Sequence, residues 1–483
     1  MAMSAAQKGY VQTVSRFVER IVLVANLCML AVMMVAVVIS SFVASLIPGR
    51  PVPEVVFFVV AGVIVGPHCL GIVQSTAGLD LVSRLGMGFL FLMAGYELDL
   101  RELTGKMGRH ASVCWAVSFG IALVVVPLLG LGLDQTGCAA FAIALTTTAY
   151  GTLVPIMRDR ELTGTPVGEV IESYGAMGEI WPVVAMSLLL SPSRSMAANV
   201  AVLLGFIAFC VLVAAQGAKA RDLGSRLSRF LHENAESSSQ PTLRATVALL
   251  CVLLALAAVL DLDAVLAAFA AGFILRHVIP ADHGHRLMDK VEAMGNGLFV
   301  PVFFVYSGIS INFRAVGENP GLLVGFVVLL LLVRALPLLV SLSAFGETRE
   351  MPLGEKISAS LYCTMALPLI VALTEAAVAA GAMDEAMASV LVCAGALTVL
   401  VIPVITSLSV RAVAAHPIEA VHEMAEHPHH MREIIHEHHE HAHEIAHEMH
   451  EERRHLREQG VRLSSADFLA RRSELRRRRR GSR

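Results

Sequence analysis

The sequence predicts an all-α membrane protein with about thirteen transmembrane helices, inverted repeats, two broken helices that cross, and a cytoplasmic helical tail. Apolar residues make up 56% of its 483 residues and charged residues 16%, whereas a soluble domain carries about 25% charged residues. The apolar residues form long blocks separated by short charged loops, as in polytopic helical membrane proteins. This composition disfavours a soluble enzyme, and a net charge of −3 gives no general attraction to nucleic acid.

The predicted spans follow from length, because a membrane helix needs roughly 20 mostly apolar residues. Turn and charge signals separate the segments, and Asp261-Leu-Asp263 divides the eighth from the ninth. Residues 1–19 precede the membrane domain, 20–411 form it, and 412–483 form the tail. The thirteen spans are 20–46, 52–73, 80–98, 110–133, 137–157, 167–191, 198–218, 242–260, 263–277, 294–312, 320–343, 356–380 and 384–410.

The orientation in the membrane follows from the loops, since loops rich in Lys and Arg lie on the cytoplasmic side. The opposite loops contain little beyond Arg194 and Arg314. We therefore expect a cell (inner) membrane protein with a cytoplasmic tail and an external N-terminus. Span 20–46 is either a retained helix, which its length favours, or a signal-like segment. The basic loops are 99–109, 158–165, 219–241, 278–293 and 344–355.

The chain carries no recognisable motif for catalysis or for a cofactor. Its eight cysteines are scattered without a Cys-x-x-Cys spacing, which argues against a disulfide framework or a zinc site. We find no nucleophile–base pair or Asp-rich metal motif, and no Gly-x-Gly-x-x-Gly nucleotide motif follows the last span. We therefore expect neither an enzyme nor a bound cofactor.

Glu179 is the most informative ionisable residue, because charged groups inside membrane spans are costly and mark functional sites. It lies midway through span 167–191, and Glu172 lies seven residues earlier on the same helix face. Gly178 allows another backbone to approach, and Pro182 frees the carbonyl of Gly178. Such a carboxylate binds either a hard cation or a proton, but not both at once. This is the minimum requirement for a site that exchanges the two ions. The alternative is a neutral or paired structural glutamate.

The fifth and twelfth spans contain interruptions in their helical pattern. Thr147 and Thr148 precede Gly151 at mid-depth, and Tyr362-Cys-Thr-Met-Ala-Leu-Pro368 interrupts the twelfth span. Broken helices in corresponding places of two halves mark the substrate site of inverted-repeat transporters. A regular helix whose threonine hydroxyls bond back to its own carbonyls is the alternative. The prolines assigned to helix breaks are Pro155, Pro182 and Pro368.

Arg334 lies in the middle of the eleventh span, too deep for its side chain to reach the interface. It needs either a carboxylate or the carbonyls of helix ends as partners. One interpretation is that it balances charge near the crossing of the broken helices, and the other is packing with a distant partner. Arg334 and Glu172 are the candidate supporting charges.

Four segments resemble the Kef-like monovalent cation/proton antiporters of the sodium/hydrogen exchanger superfamily. Residues 48–71, which include Gly-Pro-His-Cys-Leu-Gly, and residues 86–100, which include Ala-Gly-Tyr-Glu-Leu-Asp, are similar to its second and third helices. Residues 268–276 and 299–308 resemble two later helices. Together with the span count, the resemblance covers residue 48 to about residue 410.

The resemblance implies a thirteen-helix inverted-repeat fold, a homodimer and elevator-like alternating access. It places the ion and proton site at Glu179, with Thr147 and Thr148 at the crossing and Arg334 where relatives carry Lys or Arg. Relatives carry a polar residue immediately before the carboxylate, whereas this chain has Gly178. A single carboxylate indicates one proton for one cation, hence electroneutral exchange.

The tail differs in composition from the rest of the chain, because it holds 13 of the 19 histidines. Residues 416–452 are rich in His and Glu, and 453–483 are rich in Arg. Histidines four residues apart on a helix can chelate a transition metal, and neighbouring glutamates would make them sensitive to pH. A solvated low-complexity helix is the alternative, and the Arg run at 476–480 either binds anionic lipid or anchors the topology. The candidate metal ligands are His439, His443 and His447.

The leading prediction is a secondary antiporter that exchanges Na⁺ or K⁺ for protons by alternating access. Its expected partners are these ions, membrane lipids and a second copy of the chain. One alternative is a channel-like or sensory membrane protein whose tail reports pH or metal. The other is a transition-metal transporter that uses the tail as a loading site.

Overall fold

A computed structural model describes residues 5–47, 52–98, 105–160, 162–190, 195–222, 241–279, 281–344 and 346–414. Within these ranges the chain forms helices joined by turns and short irregular segments, which confirms the all-α class. Nine of the described helical segments are long and apolar enough to cross a membrane. They are Glu19–Leu46, Ala77–Glu97, Lys106–Leu128, Gln135–Val154, Met196–Gln216, Pro241–Val259, Pro320–Ala344, Leu353–Ala379 and Glu385–Pro403. The predicted tail is outside the described residues beyond Ala414.

The described residues up to Asp222 form eight helices, and the fifth predicted span is divided between two of them. These helices are α1 (Ala5–Leu46), α2 (Glu54–Val65), α3 (Ala77–Glu97), α4 (Lys106–Leu128), α5 (Gln135–Thr146), α6 (Tyr150–Asp159), α7 (Pro166–Leu189) and α8 (Met196–Asp222).

Between Pro241 and Ala414 the described residues form ten more α-helices and two π-helical segments, Gly295–Phe299 and Leu331–Ala335. A short 3₁₀ helix, Gly346–Glu350, precedes the divided twelfth span. The helices are α9 (Pro241–Val259), α10 (Ala264–Val278), α11 (Ala281–Met294), α12 (Val300–Ile309), α13 (Phe313–Glu318), α14 (Pro320–Leu330), α15 (Leu336–Ala344), α16 (Leu353–Tyr362), α17 (Leu367–Ala379) and α18 (Glu385–Ala414).

Side-chain caps explain where several helices begin. The Asp134 carboxylate accepts a hydrogen bond from the Gly137 amide at 2.7 Å, and Thr165 accepts one from Gly168 at 3.1 Å. Asp263 accepts one from the Val265 amide at 2.7 Å at the start of α10. Each cap satisfies an amide that has no partner inside its own helix. The expected division between the eighth and ninth spans therefore occurs where the sequence places it.

One set of helices, which we call the scaffold group, packs backbone against backbone. It comprises α1–α3, α8–α10 and α12. A Cβ on Gly95 of α3 would overlap the carbonyl of Phe269, and one on Gly272 of α10 would overlap the carbonyl of Leu92. Small residues at both positions allow this approach in the absence of a hydrophobic driving force between helices. The scaffold group is therefore tightly interlocked.

The second set, the crossing group, comprises α4–α7 and α14–α18. The two interrupted spans, α5/α6 and α16/α17, pack against α4, α7 and α18. The two groups touch along a limited set of helix pairs, including α3 with α6 and α10 with α7. The crossing group contains the residues to which the sequence assigns ion and proton binding, Thr147, Thr148 and Glu179.

Candidate functional site

Two short non-helical segments meet in the middle of the crossing group. Residues Thr147–Ala149 separate α5 from α6, and residues 363–366 separate α16 from α17. The Ala149 amide donates to the carbonyl of Met365 at 2.8 Å, so the two segments pair directly. Both are fully buried in protein, the condition under which non-helical backbone is stable at membrane depth.

Thr148 is the residue that fastens this crossing. Its amide donates to the carbonyl of Gly178 at 2.8 Å, and its hydroxyl donates to the carbonyl of Cys363. The same hydroxyl accepts a hydrogen bond from Nη2 of Arg334 at 2.9 Å. The side chain is 0% exposed. Thr148 therefore joins both interrupted spans to α7 and to the buried arginine.

The carboxylate of Glu179 lies at the amino end of α6. Tyr150, the first residue of α6, donates its amide to Oε2 at 3.0 Å, and the Gly151 backbone also hydrogen-bonds to the carboxylate. Ala149 precedes α6 and supplies no side-chain cap. Glu179 thus serves as a cap contributed by another helix, where the partial positive charge of the helix end favours an anion. Its side chain is 2% exposed.

Pro182 explains why the Gly178 carbonyl is available. A proline has no amide hydrogen, so Pro182 leaves the carbonyl four residues earlier without its usual partner. That carbonyl is the one that accepts the Thr148 amide. Pro182 is assigned to a helix break from the sequence, but α7 continues through Pro182, and the Thr148 amide of the interrupted fifth span bonds to the freed carbonyl.

Arg334 lies in the π-helical segment Leu331–Ala335 and is 0% exposed. Its Nη2 donates to the Tyr174 carbonyl at 3.0 Å as well as to Thr148. No carboxylate of the described residues lies within 4.0 Å of it. The carboxyl ends of α5 and α16 lie beside Thr148 and Cys363, and two such ends carry roughly one negative charge together. Only Nη2 is hydrogen-bonded, since Nε and Nη1 are buried without a hydrogen-bond partner among the described residues.

Gly178 provides the space that the guanidinium occupies. A Cβ at this position would overlap Nη2 of Arg334 and the Thr148 hydroxyl. The absence of a polar side chain before Glu179 is therefore a packing requirement of this chain. Arg334 fills the volume in which a residue larger than glycine would stand.

The remaining predicted residues lie in the interruption of the fifth span or elsewhere on the helices. The Thr147 hydroxyl bonds back to the Ala144 carbonyl at 3.0 Å, and Glu172 is partly buried on α7. Pro155 lies inside α6, beyond the interruption, whereas Pro368 lies in the first turn of α17. The histidines proposed as metal ligands, His439, His443 and His447, are outside the described residues.

Several site residues carry no sequence signal of their own. The Tyr174 carbonyl, the Cys363 carbonyl and the Tyr150 amide take part through the backbone, which any residue type supplies. Only the interruptions in the helical pattern could have pointed to them. The arrangement as a whole offers one buried carboxylate, held by helix-end amides, next in sequence to the glycine against which Arg334 packs.

Comparison with known proteins gives a consistent result. The family model described as "Sodium/hydrogen exchanger, transmembrane" matches residues 29–412. The chain is 26% identical over 314 residues to Cation/H(+) antiporter 18 of Arabidopsis thaliana, and the match covers 60% of this chain and 38% of that protein. It therefore spans less than half the length of the plant relative. The chain is 25% identical over 294 residues to the Na(+)/H(+)-K(+) antiporter GerN of Bacillus cereus, covering 58% and 71%.

A solved structure shares the fold. The sodium proton antiporter MjNhaP1 from Methanocaldococcus jannaschii, at pH 8, superimposes with a TM-score of 0.57 at 17% identity. The superposition covers 80% of this chain and 98% of the archaeal chain. At this identity the likeness concerns the arrangement of the helices.

Proposed function

The chain belongs to the sodium/hydrogen exchanger family, and from this premise we propose that it exchanges Na⁺ or K⁺ for protons across the membrane. The relatives reported above are named for exchange of Na⁺, K⁺ or unspecified cations against protons. The proposal extends this chemistry to the present chain. Glu179 is the residue that we assign to carry both ions.

The observation that carries the proposal is the position of Glu179. A carboxylate that is 2% exposed and has no cationic side chain within 4.0 Å among the described residues is costly to bury as a bare anion. Either a proton or a monovalent cation neutralises it, and one carboxylate holds only one of the two at a time. Mutually exclusive occupancy of a single site couples the two fluxes.

We further propose that the exchange is electroneutral. Arg334 stays charged in every state because a guanidinium is not deprotonated in proteins. Gly178 supplies no second titratable group beside Glu179. The site therefore carries the same charge whether a proton or a monovalent cation is bound. Thr147, Thr148 and Glu172 are assigned to support cation binding during part of the cycle.

The proposed topology has thirteen spans between residues 20 and 411, with α5/α6 and α16/α17 as the two broken ones. Helical elements at all thirteen predicted positions support it. The distribution of Lys and Arg supports a cytoplasmic tail, residues 412–483, in a cell (inner) membrane protein. We also propose a homodimer in contact with membrane lipids, in which the crossing group moves against the scaffold group.

Proton flux in proteoliposomes tests the proposal. A preset pH gradient is challenged with Na⁺, K⁺ or Li⁺, and the purified protein is expected to collapse it with Na⁺ or K⁺. Glu179→Gln is expected to abolish the flux, while Glu318→Gln, which removes an exposed carboxylate at the end of α13, retains it. Full activity of Glu179→Gln would overturn the assignment, and a current without a fixed coupling ratio would indicate a channel.

A further inference from the structure

We propose that Glu97 and Arg158 form a latch between the scaffold group and the crossing group, which positions α6 beneath Glu179 and opens during transport. The proposal rests on the exchange function argued above. It assigns a positioning role to two residues that the carboxylate chemistry does not itself require.

The first observation is an ion pair between the two helix groups. Nη2 of Arg158 lies 3.7 Å from Oε1 of Glu97. By contrast, the ion pair of Arg84 with Asp80, at 2.8 Å, lies within α3. The contact between Glu97 and Arg158 joins α3 of the scaffold group to α6 of the crossing group.

The second observation is the position of α6 between the latch and the carrier carboxylate. This helix has ten residues and is about 15 Å long. Its first amide binds Glu179, and Arg158 is its penultimate residue. A Cβ on Gly151 would lie 3.3 Å from the Cβ of Ala94, so α6 also lies directly against α3. Because Arg158 and these amides belong to the same short helix, a contact that holds Arg158 in place also holds the amides that bind Glu179.

The third observation is that the end of α3 that carries Glu97 is hydrogen-bonded to α10. Nη1 of Arg276 on α10 donates to the carbonyls of Tyr96 at 2.9 Å and Glu97 at 3.2 Å, which secures the end of α3. The Gly95 and Gly272 contact locks the same two helices together. Arg158 is consequently held against a part of the protein that is fixed within the scaffold group.

The geometry of the pair suits a contact that breaks in every cycle. The distance of 3.7 Å is long for a charge-assisted hydrogen bond. The Arg158 side chain is 60% exposed and that of Glu97 is 24% exposed, so water competes with the pair. Glu97 also faces Arg276, Glu172 and Glu292 electrostatically. Of these neighbours only Arg276 attracts the Glu97 carboxylate, and the two glutamates repel it.

Towards its other end, α3 carries a basic residue, Arg84, and the facing acidic residue lies on α17. Arg84 interacts electrostatically with Glu375 of α17, across the boundary between the two groups. No basic group of the described residues lies within 4.0 Å of Glu375, and Arg84 pairs with its neighbour Asp80. In this conformation Glu97 of α3 is paired with Arg158 of α6, whereas Arg84 of α3 is not within 4.0 Å of Glu375 of α17.

A charge-reversal cycle tests the latch. Glu97→Arg and Arg158→Glu, each alone, are expected to raise the KM for the cation by up to roughly fivefold, the strength of an exposed pair. The double variant Glu97→Arg/Arg158→Glu is expected to restore it. Arg160→Glu reverses a charge at the same end of α6 outside the ion pair, and serves as the matched control.

A second readout does not depend on transport. Amide hydrogen exchange across residues 150–159 is expected to rise in both single variants and to return to the wild-type level in the double variant. Single variants with wild-type KM and amide exchange, or a double variant no better than either single one, would overturn the latch. Absence of cation-driven proton flux in the wild-type protein would instead overturn the proposed function, while amide exchange still tests the latch.

Discussion

The amide of Tyr150 and the carboxylate of Glu179 meet at 3.0 Å, although the two residues lie on different helices. A ten-residue half-helix thus begins at the carboxylate that is buried at the crossing. Because Tyr150 supplies only its backbone amide, the contact survives changes of its side chain and depends on the break at Thr147–Ala149. The interrupted span and the carrier residue form one structural unit, and the predictions below perturb its parts separately.

Gly178→Ala is expected to reduce both stability and transport. The added methyl group would overlap Arg334 and Thr148, and overpacking of this kind costs typically 1–3 kcal/mol. The measurements are the thermal midpoint in detergent and the rate of cation-driven proton flux. Gly120→Ala is the control, because a Cβ there meets no atom within 4 Å. Equal behaviour of the two variants would contradict the packing role of Gly178.

Thr148→Val is expected to impair transport while conserving side-chain volume. The change removes the donor to the Cys363 carbonyl and the acceptor for Arg334, and leaving buried polar groups unpaired costs about 1–3 kcal/mol each. Thr146→Val is the matched control, since the Thr146 hydroxyl bonds only to the Ala142 and Ile143 carbonyls of its own helix. If both variants transport alike, Thr148 does not fasten the crossing.

Pro182→Ala is expected to slow exchange without preventing membrane insertion. Alanine restores an amide that competes with Thr148 for the Gly178 carbonyl. Amide hydrogen exchange at Thr148 should therefore become faster than in the wild type. Pro403→Ala, which changes a proline inside α18, should leave Thr148 unaffected. If the Thr148 amide exchanges equally slowly in Pro182→Ala, the amide restored at position 182 does not compete with it for the Gly178 carbonyl.

The rate of exchange is expected to be insensitive to membrane potential. One proton replaces one monovalent cation at Glu179, and Arg334 keeps its charge throughout, so no net charge crosses per cycle. The measurement is proton flux in proteoliposomes at equal ion gradients, with and without an imposed potential. A flux that rises or falls systematically with the potential would refute the one-for-one ratio.

The helical architecture is largely readable from the sequence. Apolar blocks of membrane length and the Asp261–Asp263 break specify the helices, and the threonines with Gly151 identify the interrupted fifth span. Proline was a less reliable guide. Pro155 and Pro182 lie within continuous helices, whereas Pro368 lies at a helix start, where an amide would have no partner inside the helix.

The partners of Arg334 show why the site was only partly predictable. The sequence identifies a mid-membrane arginine that needs compensation, and it offers a carboxylate or helix-end carbonyls. The structure uses a carbonyl within α7 together with the Thr148 hydroxyl. Backbone acceptors have no residue signature, so only three-dimensional packing selects Tyr174. In the sequence, Gly178 stands where relatives carry a polar residue. Only the structure shows that the Arg334 guanidinium occupies the space of such a side chain.

The most direct test of the shared site is the number of protons released when a cation binds. Na⁺ or K⁺ is added to the purified protein in weakly buffered detergent solution, and the pH change is measured against the amount of cation bound. The wild type is expected to release one proton per bound cation, and Glu179→Gln is expected to release none. Cation binding without proton release, or equal release by Glu179→Gln, would contradict the claim that both ions share Glu179.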